Sequence, residues 1–288
     1  KIFSRASRFK TRRTKVPLWN ILTDLLVIAM VLSSFLVLFM LVWMSLSGVS
    51  TTYVDSLIPP YFSVSSFIAI VKDERIFTYF LNTFIVAGFT GILIPLVSFP
   101  AAAVLSLDKP STGKSVLFAV QLLGIAGGMH TLIPLYSLFL KIGLINSFVP
   151  LVMIYIFHAI PFSLFTMKAY LDSIPSSFRD YASLEGAGPL QYTFKILFPV
   201  SFPVITTAVI VAFLGGWNGF MAPLLFLNDD AKYTISIKLF SLVGSIASGE
   251  PKWNLFAAAS TINMVLIGFL FLRFKNPLST TPLKDYQE

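Results

Sequence analysis

The sequence has no cysteine in 288 residues, which excludes a disulfide framework and any thiolate chemistry. Histidine is nearly absent as well. His130 and His158 lie in different apolar stretches, with no metal-ligand spacing and no neighbouring acid, so neither a metal centre nor a general-base cluster is expected. Charge is scarce too: Asp, Glu, Lys and Arg make up 12% of the chain, against about 25% in ordinary soluble domains. No repeat period, low-complexity tract or separate soluble domain is apparent. What fills the chain instead is apolar residues, at 56%, more than a soluble core can use.

Crossing the hydrocarbon of a bilayer takes about 20 predominantly apolar residues. Six stretches qualify: Ile21–Met44, Thr78–Leu105, Ser115–Leu140, Val149–Tyr170, Ser201–Leu227 and Leu255–Leu272. The expected fold is therefore an all-α polytopic membrane protein with six transmembrane helices. The first run is long enough to span, and no small-residue cleavage site follows it cleanly, so it is expected to be a span and not a cleaved leader.

The excess of 21 Lys and Arg over 13 Asp and Glu could suggest a nucleic-acid partner, but its placement argues for orientation. With both termini inside, the inner segments hold fifteen basic residues, seven of them before Asn20, and the outer segments hold six. That asymmetry is the positive-inside pattern of an N-in, C-in protein. The head "KIFSRASRFKTRRTK" (within residues 1–20) is then a topology anchor against anionic membrane lipid, and no nucleic acid is expected.

Two outer loops are large, Ser45–Phe77 and Asn228–Asn254. The second alternates in "KYTISIKLF" and carries a Trp near its re-entry, which suits an interfacial segment. Inside, "DKPSTGKS" ends like a phosphate-binding loop, but Asp108 occupies the first Gly position and an apolar helix, not a strand, precedes it. A carboxylate there repels phosphate, so no nucleotide site is expected.

The other inner loop, about 171–199, is long for a helical bundle and punctuated. Ser177 three residues before Asp180 reads as a helix start. Gly186 or Gly188 can end that helix, and Pro189 suits the first turn of a second. Two short helices meeting at an angle are expected, with almost no side chain at the corner Gly186, Ala187 and Gly188, so that another protein can approach the backbone closely.

"DYASLEGAG" followed by "LQYTFKILFPVSFP" resembles the EAA loop of binding-protein-dependent ABC importer permeases. Asp180 stands for the Glu, Tyr181 and Ala182 for the two alanines, Glu185 for the acid before the Gly, Gly186 for the Gly, Ala187 for the Ala after it and Pro199 for the Pro. "NTFIVAGFTGILIPLVSFPAAAVL", "IPLYSLFLKIGLINS" and "WNGFMAPLLFL" are similar to the maltose-type carbohydrate-uptake branch, specifically the smaller of its paired permeases. The tail 274–288 departs from that branch's Gly-rich ending.

The resemblance implies an ABC importer type I permease fold, in a permease domain over 21–273, in a bacterial or archaeal cytoplasmic (inner) membrane. It implies a second homologous permease, two cytoplasmic ATPase subunits and an extracellular or periplasmic solute-binding protein as partners. ATP and Mg²⁺ then sit on the ATPases, and this chain binds no cofactor and is no enzyme. The loop would dock in an ATPase cleft, with Arg179, Asp180 and Glu185 at a charged rim and Ala182, Leu184 and Ala187 supplying apolar packing. Exposed ion pairs contribute only about 0 to 1 kcal/mol each, which is why the apolar residues are expected to dominate.

Polar side chains inside spans usually face a bundle interior or cavity. Gln121, His130, Asn218 and Asn263 are therefore substrate-pathway candidates, with Trp217 as an apolar sugar platform. Helix-to-helix hydrogen bonding is the competing role for each. Asn82, near a span end, reads as a cap or interfacial residue. An ion-coupled secondary transporter or channel subunit is the alternative class. It calls for intramembrane charge, and acids are absent from the span interiors apart from Asp24 near an end.

Overall fold

The computed structural model describes residues 18–47, 62–107, 110–126, 128–243 and 251–274. The basic head, residues 48–61 of the first outer loop, residues 244–250 and the tail lie outside them. In chain order the helices are α1 (Leu18–Ser45), α2 (Ser65–Val71), α3 (Ile76–Leu107), α4 (Pro110–Ala126), α5 (Leu132–Lys141), α6 (Phe148–Asp172) and α7 (Ser177–Leu184). There follow the one-turn α8 (Pro189–Gln191), a π-turn at Tyr192–Leu197, α9 (Phe198–Val200), α10 (Phe202–Asn218), α11 (Met221–Phe226), α12 (Ile235–Val243) and α13 (Trp253–Phe274). Among the described residues the one extended pairing is a single antiparallel bridge between Ser47 and Phe62.

The bundle is organised on α3, which packs along both α6 and α10. Small residues make this possible. A Cβ added at Gly216 of α10 would lie 2.9 Å from the Ala87 Cα of α3, and one at Gly91 of α3 would lie 3.2 Å from the Val209 carbonyl oxygen. Lipid gives apolar helices little reason to associate, so van der Waals contact at such close approaches does the work. Polar groups along the seam are satisfied within the helix: the buried Thr83 and Thr90 hydroxyls donate to the carbonyls of Tyr79 and Val86 at 2.7 and 2.8 Å.

Around this seam the buried core falls into two large clusters. One joins Phe99, Ala103, Leu164, Met167, Leu197 and Ile205 near the C-terminal ends of α3 and α6. The other joins Val86, Phe139, Leu151, Ile154 and Phe226 toward the opposite end. By contrast α1 is apolar and exposed nearly all round, with Met30 70% and Phe35 64% exposed; it packs chiefly along α13.

Among the described residues four helices are long and apolar enough to cross a membrane, and up to six spans result if each of two bent pairs counts as one. Two expected spans are broken. The stretch 115–140 is interrupted by the 3₁₀ turn Met129–Thr131, which opens at the extended Gly128. The stretch 201–227 is interrupted where Gly219, with ψ 129°, stops α10 before α11 resumes at Met221. At its other end α10 joins the segment Pro189–Val200 at a bend of 73°, so a bent helical pair long enough to span begins in the hairpin itself. Pro199 accounts for the π-turn just before it, because it has no N–H for the carbonyl of Lys195 and its ring crowds that carbonyl.

Adjacent glycines separate the packing contribution from helix propensity. Gly216→Val forces a branched side chain onto the α3 backbone, whereas the site of a Cβ at Gly215 is open. Gly216→Val is expected to lower the thermal midpoint of the detergent-solubilised protein by several degrees or abolish expression, and Gly215→Val to leave it nearly unchanged; scanning fluorimetry of the pair checks this.

Candidate functional site

The stretch 171–199 folds as the two short helical segments expected, α7 and the run from Pro189 to Val200. The start differs from expectation. Ser177 is the first helical residue, not the cap, and the capping position Ser176 makes no side-chain cap bond. Its backbone carbonyl instead accepts the amides of Arg179 and Asp180 at 2.9 and 3.0 Å, following the turn at Pro175, whose carbonyl accepts the Phe178 amide.

The corner is built by Gly186. Its φ of +78° lets the Gly186 amide reach the Ser183 carbonyl at 3.1 Å and the Ala187 amide reach the Ala182 carbonyl at 2.9 Å. This pair of bonds is the Schellman closure, which requires a left-handed residue. Gly188 then extends (ψ 167°) and Pro189 opens the next helix at its first position. A Cβ at Gly188 would meet nothing within 4 Å.

The two faces of the hairpin do different things. Ala182, 5% exposed, is buried in the same cluster as Phe99, Leu164 and Ile205, and Phe178 and Ala187 pack against it. Ala182 and Ala187, expected to supply docking surface, therefore face inward and seat the hairpin on α3, α6 and α10. The outer face is apolar in other residues: Tyr181, Leu184 and Leu190 are 69%, 82% and 75% exposed. Asp180 and Glu185 are exposed beside them. Arg179 sends a long 3.4 Å hydrogen bond to the Leu107 carbonyl, the favourable place for a cation at the C-terminal end of α3.

Beneath the hairpin lies a cavity of about 240 Å³ lined by Leu105, Lys168, Asp172, Arg179 and Tyr192 among others. The Lys168 ammonium, on a side chain only 8% exposed, donates to Asp172 at 2.6 Å. The Tyr170 hydroxyl donates to the Val200 carbonyl at 3.0 Å, tying α6 to the far end of the second helical segment. The look-alike phosphate loop is nearby, and from Pro110 onward it is helix α4, with Gly113 packed against the Lys168 stem.

At the opposite end of the bundle, residues 228–238 are pinned to the start of α3. The Asn82 amide group, 7% exposed, donates to the Ala231 and Tyr233 carbonyls at 2.9 and 3.0 Å. Thr83 Oγ1 accepts the first amide of α12, from Ile235, at 2.8 Å. Asp230 pairs with Arg75 and accepts the Tyr79 hydroxyl, and Asp73 pairs with Lys238 at 2.6 Å. Burial pushes the Asp73 carboxyl up. The hydrogen bonds from Lys238 and the Arg75 amide, with both cation charges, outweigh that and hold it below its ordinary value.

Asn146, at φ 61°, accepts the amides of Asn228 and Asp229 on its side chain and the Lys232 ammonium on its carbonyl. The sequence reading placed Asn82 as a cap or interfacial residue and missed this clamp. "KYTISIKLF", whose alternation suggested an interfacial strip, is largely helix α12, with Ile235 and Ile237 buried.

The pathway candidates do not converge. The Trp217 indole, 1% exposed, donates to Asn263 at 3.0 Å and lies tilted against Phe213 at 5.5 Å. Its ring is inside the helix packing, not on a face open to a sugar. Gln121 donates to the Pro161 carbonyl at 3.1 Å, joining α4 to α6, and His130 is exposed in the 3₁₀ turn. Asn218 is exposed beside the Gly219 break. Tyr155, not singled out in the sequence, has its hydroxyl packed on Gly219, buried with no hydrogen-bond partner among the described residues.

A helical bundle with a punctuated hairpin at one end and a clamped loop at the other matches one family over nearly the whole chain. Residues 7–278 fit the family model described as binding-protein-dependent transport system inner membrane component, and the chain belongs to that family of ABC transporter permeases. It is 31% identical over 204 residues, 69% of this chain and 66% of the relative, to the probable ABC transporter permease protein YurM of Bacillus subtilis.

It is 27% identical over 88% of its length, and 91% of the relative, to the trehalose transport system permease protein SugB of Mycobacterium tuberculosis. Among solved structures the fold is similar, at a TM-score of 0.70 and 20% identity over 95% of this chain and 98% of the other, to a chain of a bacterial ABC transporter that imports the acidic polysaccharide alginate. Membership in this family favours an importer permease over an ion-coupled carrier or channel.

The left-handed turn at Gly186 gives a local test. A β-branched residue there costs about 1 to 2 kcal/mol, and Asn, which tolerates that conformation, costs less. Gly186→Val is expected to speed amide hydrogen exchange across 177–191 several-fold while the exchange of α3 and α6 stays unchanged, and Gly186→Asn to fall between it and the parent.

Proposed function

We propose that this chain is the permease subunit of an ATP-driven importer that takes up a sugar or oligosaccharide delivered by a solute-binding protein. One observation carries the coupling role. The hairpin is buried on one face in the core of α3, α6 and α10 and presents an apolar patch, Tyr181, Leu184 and Leu190, on the other. A solvent-facing apolar patch beside charges suits a protein partner. Because the inner face is continuous with the helix core, a displacement of the hairpin is a displacement of those helices, as alternating access requires.

Six crossings with both termini inside suit this reading. The hairpin end gathers the C-terminal ends of α3, α6 and α13 and the start of α4, while the end of α1, the start of α3, the α5–α6 turn and the start of α13 lie at the other. The excess of basic residues assigned to the inner side then falls at the hairpin end. The ATPases, holding ATP and Mg²⁺, would dock there, with one related permease completing the transmembrane pair.

The solute-binding protein would meet the clamped far end. Sugar as the cargo class rests on relatives named for trehalose and, in Streptomyces coelicolor, for diacetylchitobiose. Gln121, His130 and Asn218 remain pathway candidates, and Trp217 with Asn263 is assigned to holding α10 on α13.

Burying a leucine side chain contributes about 1.5 to 3 kcal/mol. Leu184→Asp, at a position already 82% exposed, should leave insertion and thermal stability intact. It should reduce retention of the ATPase subunits at least tenfold and abolish sugar-stimulated ATP hydrolysis in the reconstituted complex. Gly188→Trp should do the same by blocking close approach. Full coupled transport by both variants would reduce the hairpin to a linker.

Crosslinks from the solute-binding protein are expected within 62–77 and 228–243. Confinement to 141–148 would remove the far end as its receiving surface.

A further inference from the structure

A cavity of about 390 Å³ opens at the far end between α2 and the start of α13, lined by Ser65, Ser66, Lys252, Asn254 and Leu255 among others. Three donors of different kinds border it. The first is the N-terminus of α13, a 22-residue helix, whose opening turn carries its positive dipole end; the Leu255 amide there is taken by the Asn254 side chain at 2.9 Å. The second is the Lys252 ammonium, on the exposed residue just before that helix.

The third is Ser66. This residue is 2% exposed, and its hydroxyl has no hydrogen-bond partner among the described residues. A buried hydroxyl left unpaired is costly unless something pairs it, so an acceptor arriving in this cavity recovers a bond that the described residues do not make. Helix start, cation and unpaired hydroxyl together select an anion with several acceptor oxygens.

The depth of the cavity says what brings that anion. Trp253, at the first position of α13, is 37% exposed and packs edge-on against Phe256. Trp43, near the end of α1, packs edge-on against Phe62. Tryptophans at the ends of apolar helices mark headgroup level. Below the cavity, Ile70, Ala258 and Ala259 are buried with Phe67 and Leu255 packed against them, so polar lining gives way to apolar lining toward the bilayer. We propose that this cavity holds the phosphate of an outer-leaflet anionic phospholipid, gripped by Lys252, the Ser66 hydroxyl and the α13 amides.

The test uses the purified full transporter complex in detergent, titrated with dioleoylphosphatidylglycerol or dioleoylphosphatidylcholine and read by native mass spectrometry. One saturable phosphatidylglycerol is expected, with phosphatidylcholine binding at least fivefold more weakly. Ser66→Ala and Lys252→Gln should each weaken phosphatidylglycerol binding at least fivefold. Ser66→Ala should leave the thermal midpoint unchanged or raised, because it removes an unpaired group. Lys72→Gln, an exposed lysine at the end of α2, should change nothing.

Unaltered lipid binding in Ser66→Ala and Lys252→Gln, or an equal loss in Lys72→Gln, overturns the proposal. So does unaltered lipid binding joined to weakened affinity for the solute-binding protein, which would make the cavity a socket for an acidic side chain.

Discussion

Close contact between α3 and α10 is the constraint on which the rest of the molecule depends. Apolar helices in lipid gain little from hiding apolar surface, so their association rests on how near two backbones come. Gly216 against Ala87 and Gly91 against Val209 set that distance, and α6 then packs on the other side of α3. Everything functional hangs on this three-helix unit: the hairpin on its lower cluster, and the clamp of Asn82 and Thr83 on the opening turns of α3.

The glycines outside that seam have a different job. Gly186 reverses a helix through a left-handed turn, and Gly219 ends one in an extended conformation against Tyr155. A helix break at membrane depth leaves backbone groups without intrahelical partners and is tolerated only where protein or a water-lined path covers them. The unpaired Tyr155 hydroxyl and the exposed Asn218 on either side of Gly219 are what polar matter there looks like when helix-to-helix bonds have not consumed it. The Trp217–Asn263 pair, beginning at the residue just before Asn218 and closed by its own hydrogen bond, shows the consumed state.

Much of this was legible in the sequence, and the failures share a cause. The long apolar helices follow from composition alone, whereas the breaks at Gly128 and Gly219 do not. The hairpin follows from Gly and Pro, whose backbone preferences are local, so Gly186 as stop and Pro189 as start were both readable. Which face of α7 is buried depends on where α3 and α10 lie, and an eight-residue helix has too few turns for a pattern to reveal it. Ala182 and Ala187 were accordingly assigned outward when they point inward. Asn82, 149 residues from Ala231, makes a contact that no local pattern encodes. Tyr155 leaves a faint trace only in its partner, the Asn-Gly pair of "WNGF".

Helix α3 also decides how the two ends communicate. It runs unbroken for 32 residues, about 48 Å at 1.5 Å per residue, in spite of Pro95 and Pro100. Its first turns carry the clamp, and its last carbonyls receive Arg179 from the hairpin. Helix α6 repeats the arrangement, with Asn146 just before its start and the Lys168–Asp172 pair at its end. The α4–α5 and α10–α11 stretches, by contrast, are each interrupted part-way. A bundle that mixes continuous struts with two interrupted ones does not deform evenly. In the proposed importer, a push on the hairpin is carried to the clamped far end by α3 and α6, and the change of shape collects at Gly128 and Gly219.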